Sequence, residues 1–136
     1  MEKEAWEKKT DDGAVAFVEH WLEVFNEMQV TGEQSELRAI SSGDCETCSN
    51  FFESADAVYK SGGSIKTEGW TVDQIALSPS KDDRRRTVGL RIMQAAQTVD
   101  FGNGDKRRYP GGPLTMTASL HWQAGEWEMV ELEAQS

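Results

Sequence analysis

The sequence predicts an α+β domain in which three N-terminal helices pack on one face of a mostly antiparallel, four-stranded sheet. Three observations carry this expectation. Apolar residues recur at three- and four-residue steps as far as Tyr59, the period changes to two after Gly63, and no segment repeats along the 136 residues. Helices first and a strand meander afterwards is the order of an α+β fold.

Residues 1–10 are charged and lack a sustained apolar period, so they are expected to be a tail or linker ahead of a single domain over 11–136. Thr10, Asp11 or Asp12 can cap the first helix by accepting its orphan backbone N–H groups. Ala14, Val18, Trp21, Leu22, Phe25 and Met28 then form one stripe, with Glu19, Glu23 and Glu27 on the other side, and Gly32 ends the helix. Glu33 to Ile40 reads as a two-turn helix presenting Leu37 and Ile40. The third helix starts near Asp44; its stripe is Cys48, Phe51, Phe52, Ala55, Val58 and Tyr59, and Gly62-Gly63 stops it.

Beyond Gly63, Trp70 and Val72 alternate with polar residues, whereas Ile75 and Leu77 alternate in the opposite phase. A β-bulge near Asp73–Gln74 accounts for that slip. Pro79 to Asp83 is a turn, and Thr87 to Phe101 reads as one long strand with Val88, Leu90 and Ile92 on a common face. Gly102-Asn103-Gly104 and Pro110-Gly111-Gly112-Pro113 bracket a long connection. Leu114, Met116, Ala118, Leu120 and Trp122 alternate without a break, which makes 114–122 a central strand. Ala124-Gly125 is a hairpin turn, and Trp127 to Leu132 pairs back.

Composition excludes several functions. The chain is 38% hydrophobic with five Trp, so it can bury a core without a metal. Its net charge of −10, concentrated in residues 1–60, argues against a nucleic-acid or acidic-membrane binder, which needs a basic surface. The basic runs Arg84-Arg85-Arg86 and Lys106-Arg107-Arg108 flank opposite ends of the long strand and are diluted by Asp82, Asp83 and Asp105; they read as solvated turns. No stretch approaches ~20 apolar residues, and no signal peptide is recognisable.

Cys45 and Cys48 share the apolar stripe of the third helix. A structural disulfide fits, because two cysteines three apart on a helical turn lie within bridging distance. A thioredoxin-like redox pair also sits at a helix N-terminus, but there it follows a strand, and here two helices precede it. A zinc site would need two further ligands, and His20 and His121 are far apart. Free buried thiols are the remaining alternative. The bridge is the expectation carried forward, and with it an oxidising compartment.

Gly13-Ala14, Phe17-Val18, Trp21, Thr31-Gly32, Leu37-Arg38-Ala39-Ile40-Ser41-Ser42, Cys45-x-x-Cys48, Tyr59, Gly62-Gly63 and Trp70-Thr71-Val72 form an ordered set. In this order they resemble a family of uncharacterised actinobacterial lipoproteins with a nuclear-transport-factor-2-like, cystatin-like fold. The likeness is clearest over 13–78. It implies a curved sheet and an extracytoplasmic domain anchored to the cell membrane by a lipid. Members carry a lipobox signal, so this chain is expected to be a mature part with an added Met1. No catalytic residues are established for the family, and the resemblance supplies none.

Domains of this broader fold enclose a cone-shaped pocket between the helices and the concave sheet face; their enzymes place an Asp–His or Tyr–Asp pair there. His20 lies off the first helix's apolar stripe and His121 on the polar face of its strand, so both are expected at the surface. Gln94 is a polar residue in register with Val88, Leu90 and Ile92, and is expected to be a pocket contact or hydrogen-bonded core. Asp73, beside the bulge, and Trp21, Tyr59 and Trp70 complete the candidate pocket. No catalytic residue, metal or cofactor is expected. The expectation is therefore a non-enzymatic binding or interaction domain taking an apolar or amphipathic small ligand or an envelope protein, or pairing with a second copy through the sheet. An isomerase- or dehydratase-like enzyme is the alternative.

Overall fold

The computed structural model describes residues 4–134; residues 1–3 of the expected tail and 135–136 of the expected domain lie outside the described residues. Helix α1 spans Asp11–Thr31. The Thr10 hydroxyl accepts the Gly13 N–H (2.9 Å) and satisfies one orphan donor of the first turn. The predicted stripe is buried, from Ala14 to Met28, and Gly32 closes the helix in the left-handed conformation. The second helix is shorter than the expected 33–40: α2 covers Ser35–Ala39 and is pinned by fully buried Leu37. Helix α3 covers Glu46–Tyr59, capped by Cys45, and buries Cys48, Phe52, Ala55 and Val58.

Seven strands follow: β1 Ser64–Thr67, β2 Trp70–Ser78, β3 Arg85–Gln94, β4 Gln97–Asp100, β5 Lys106–Tyr109, β6 Gly112–Gln123 and β7 Glu126–Ala134. The predicted four-stranded antiparallel sheet has the order β2-β3-β6-β7, so β6 is an interior strand as expected. Its register shifts between Val72 and Gln74, at the bulge that the phase slip predicts. One face, built from Val88, Leu90, Ile92, Met116, Ala118, Leu120, Trp127, Met129 and Leu132, meets Phe17, Val18, Trp21 and Phe25 of α1 in one core.

Two expectations are corrected. The strand expected over 87–101 is two strands in two sheets, because the chain leaves β3 at Gln94 and re-enters as β4 at Gln97, beside β1 and β5. Buried Val99 lies an odd number of residues from Val88, Leu90 and Ile92, so one flat strand cannot bury all four. The connection bracketed by the two glycine-rich runs contains β5, whose four residues are all exposed. It carries Lys106, Arg107 and Arg108 along the open edge, a placement that discourages edge-to-edge pairing. The two basic runs therefore do not flank one strand. Arg85, Arg86 and Arg107 are paired with Asp82, Asp11 and Asp105.

The segment expected to be a tail is docked. Ala5–Glu7 form a 3-10 turn whose Trp6 ring stacks on His20, with centroids 4.0 Å apart. The Trp127 indole donates to the Lys8 carbonyl (2.8 Å), and Lys9 pairs with Asp83 (3.0 Å), holding that carboxyl below its usual value. The β7 edge of the four-stranded sheet is also covered. The Ser42 N–H donates to the Met129 carbonyl (2.8 Å) and the Met129 N–H to the Ile40 carbonyl (3.0 Å), forming a one-residue parallel bridge where β7 bulges. Cys45 and Cys48 are joined by a disulfide at the start of α3, Cα atoms 5.2 Å apart and both side chains fully buried.

Three outcomes test this arrangement. Leu120→Ala should lower stability by about 2–5 kcal/mol in chemical denaturation, and His121→Ala, on the outward face, by no more than about 0.5 kcal/mol. Intact mass should show no alkylation before reduction and two alkylated cysteines after it. The third concerns Glu131, on the outer face of β7, whose carboxyl hydrogen-bonds Glu133 and feels the Glu133 charge, raising its pKa. A raised carboxyl pKa means stability present at low pH that is lost as the pair ionises. Glu131→Gln should therefore raise the thermal midpoint at pH 7. The gain should fade as the pH drops to about 4, where the unfolded carboxyl is itself half-protonated.

Candidate functional site

Two of the three places where the chain changes sheets lie side by side and shape a cavity. The Thr67 hydroxyl donates to the Ala96 carbonyl (3.1 Å), and the Ala95 N–H donates to the Gly69 carbonyl (3.0 Å), tying the β1–β2 corner to the β3–β4 corner. Gly69 takes φ +94°, and a Cβ there would come within 2.8 Å of the Asn26 amide. Only glycine serves both demands.

Asn26, on α1, holds the next residue. The Trp70 N–H donates to Asn26 Oδ1 (2.8 Å), and Asn26 Nδ2 donates to the Trp70 carbonyl (2.9 Å). A helix side chain thus takes the place of a neighbouring strand for one residue and satisfies both backbone groups. This sets the Trp70 ring against Phe25 (centroids 4.6 Å) and Phe51 (5.8 Å), which themselves touch at 4.7 Å. The edge-on and tilted contacts suit the ring quadrupoles.

Between this aromatic cluster and the β3–β4 corner is a cavity of about 290 Å³. Phe25, Met28 and Gln29 enter it from α1, and Phe51, Ser54 and Ala55 from α3. Ile65 and Trp70 line it on one corner, and Gln94, Ala95 and Gln97 on the other. Tyr109 and Pro110, both exposed, form the rim. The rim rests directly on the corner: a Cβ on Gly111 would collide with the Gln94 carbonyl oxygen and crowd the Ala96 nitrogen at 2.8 Å. Among the described residues no Asp, Glu, His, Lys or Arg lines the cavity; its one titratable group is the Tyr109 phenol at the mouth. Besides that phenol and the Trp70 indole, its polar side chains are the Ser54 hydroxyl and three carboxamides. Gln29 makes one long contact, from Nε2 to Asn26 Oδ1 (3.5 Å). The Gln94 and Gln97 side chains have no hydrogen-bond partner among the described residues.

Of the candidate residues, Trp70 and Gln94 line this cavity and three do not. Trp21 is fully buried below it, its indole donating to the Ser41 hydroxyl (2.9 Å), which donates to the Leu37 carbonyl (2.7 Å). A helical stripe marks Trp21 as buried without saying what covers it, and here it anchors the loop that covers β7. Tyr59 stands behind the wall. Its hydroxyl donates to the Gln29 carbonyl (2.6 Å) and accepts the Ile65 N–H (3.3 Å), bracing two lining residues from outside. Asp73 is exposed and pairs with Arg91 (3.4 Å), because the bulge turns it outward. His20 lies under Trp6, half-buried, and half-buried His121 sits on the outer sheet face between Arg85 and Glu128. Sequence reasoning missed Asn26, Phe51 as a wall, Gln97 and Tyr109. Among the described residues no three His, Cys, Asp or Glu side chains converge to hold a metal ion.

The pattern of the family of unknown function DUF6318 matches residues 1–133. The chain belongs to this family. No curated protein matches this DUF6318 chain. Among solved structures it is similar to the intermembrane-space region of the chloroplast protein ARC6 (TM-score 0.65, 13% identity, covering 90% of this chain and 94% of that one). It is similar to a putative Ca/calmodulin-dependent kinase II association domain from Exiguobacterium sibiricum (TM-score 0.60, 11% identity, 99% and 95% covered). An uncharacterised protein with a cystatin-like fold from Caulobacter vibrioides superposes at TM-score 0.56 (11% identity, 95% and 92% covered). At these identities the likeness establishes the fold, which is nuclear-transport-factor-2-like and cystatin-like as expected.

Removing the Asn26 clamp should cost about 1–3 kcal/mol, because Asn26→Ala strands both Trp70 backbone groups in a half-buried corner. Urea denaturation reads the loss, and the near-ultraviolet signal of the Trp70 cluster should fall with it. Asn26→Asp, which keeps the acceptor and removes the donor, should be destabilising as well.

Proposed function

We propose that this DUF6318 domain binds a small apolar or amphipathic ligand and carries out no chemistry of its own. The observation supporting this is the composition of the cavity wall. A general acid or base must reach the reacting atom, and among the described residues no His, Asp, Glu, Lys or Cys stands on this wall, the Tyr109 phenol being at the exposed rim. Aromatic and aliphatic groups with a few amides are instead the usual lining of a ligand site. The volume of about 290 Å³ limits the occupant to one or two rings or a short acyl segment. It is roughly twice the ~150 Å³ apolar cavity that takes benzene.

The proposal extends to place. A fully buried disulfide is at home in an oxidising compartment. Together with the resemblance to lipid-anchored envelope proteins, this favours an extracytoplasmic domain of a cell-envelope lipoprotein. Attachment by a lipid rests on that resemblance alone; among the described residues no helix is long and apolar enough to cross a membrane.

A thermal-shift screen of acyl chains, small aromatics and polar metabolites tests the binding reading. Neutral apolar or amphipathic compounds should raise the melting temperature, and Ser54→Trp, which places a large ring in the cavity, should abolish the shift. Stabilisation by charged polar metabolites and by no neutral apolar or amphipathic compound would overturn it.

A further inference from the structure

The polar groups of the cavity narrow the ligand further than its volume does. A primary carboxamide offers one acceptor and two donors. Two such groups, Gln94 and Gln97, come from the same corner, three residues apart, and neither is engaged by a partner among the described residues. A polar group left unpaired in a closing site costs free energy, so an occupant that sheds water here must offer matching donors and acceptors. The facing wall is aromatic, with Phe25, Phe51 and Trp70 in mutual contact. Flat rings pack well against such a wall.

Charge is the other constraint. No cationic or anionic side chain lines the cavity among the described residues, so a carboxylate or ammonium inside it would be desolvated without a counter-charge. Phosphorylated and carboxylated metabolites are disfavoured for that reason, and purely aliphatic chains would leave both amides unpaired.

Resting on the binding reading above, we propose that the ligand is a neutral planar ring bearing adjacent hydrogen-bond donor and acceptor, as in an aromatic carboxamide, a lactam or a cyclic imide. Gln94 and Gln97 pair with its polar edge, while the Phe25–Phe51–Trp70 wall covers the ring. Specificity then comes from the amides and not from the size of the pocket. A site built to hydrogen-bond its ligand rejects an analogue that lacks the polar edge, because its own groups go unpaired.

Isothermal titration of the full chain with benzamide, nicotinamide, benzoate, benzylamine and toluene provides the test. Benzamide and nicotinamide should bind roughly tenfold or more tighter than toluene, and the two charged analogues more weakly than either amide. Gln94→Leu and Gln97→Leu, each checked for folding by circular dichroism, should reduce benzamide affinity roughly fivefold to tenfold while toluene affinity holds or rises. The wild-type comparison stands even where a variant fails to fold. Toluene binding as tightly as benzamide, or benzoate binding more tightly than it, would overturn this inference and leave the binding reading in place. Binding by none of the compounds, together with no hit among the apolar and amphipathic compounds of the thermal screen, would overturn both.

Discussion

The arrangement of this protein turns on the two hydrogen bonds between the Asn26 side chain and the backbone of Trp70. Trp70 is the first residue of β2, an edge strand that pairs with β3 on one side only, so on its open side a strand neighbour is missing. The helix supplies one from its side. Because both backbone groups are satisfied, the sheet can bend there without a net loss of hydrogen bonding. The bend carries β1, β4 and β5 over the end of the helices as a separate short sheet. The hollow is what the bend leaves behind. Gly69 is required by the same contact, since a side chain at that position would push the amide away.

Much of the fold was legible in the residues. The period of α1, the bulge at Asp73–Gln74, the central position of β6 and the Trp122–Trp127 hairpin all follow from local patterns that the core enforces. The second sheet was not legible, for two physical reasons. Strand β5 is Lys106-Arg107-Arg108-Tyr109, an exposed edge with no face to bury, so it has no alternation to read. The break between β3 and β4 left only a weak signal, the phase of Val99 against Ile92. A reader attentive to that slip would have placed the corner.

The site was legible in proportion to its anomalies. Gln94 stood out because it is polar on an apolar face, whereas Trp70 was a candidate only as an aromatic. Trp21 and Tyr59 are equally aromatic, yet their polar tips are committed to Ser41 and to the Gln29 carbonyl. Periodicity reports burial and is blind to such partners. Asn26 carries the reverse lesson. A polar residue beside the stripe of a helix looks like ordinary solvent-facing surface until the strand that it serves is known.

The docked N-terminal segment sets a direction. Trp6, Lys8 and Lys9 are fastened at the end of the sheet that holds Trp127 and Asp83, whereas the cavity lies near Met28 on α1 and Gln94 on β3. The seventeen helical steps from Asp11 to Met28 span roughly 25 Å, and the eight strand steps from Arg86 to Gln94 span about the same. Any tether reaching the domain ahead of Glu4 therefore holds it by the foot. The mouth at Tyr109 and Pro110 lies toward the other end, so a domain tethered in this way would present it away from the tether.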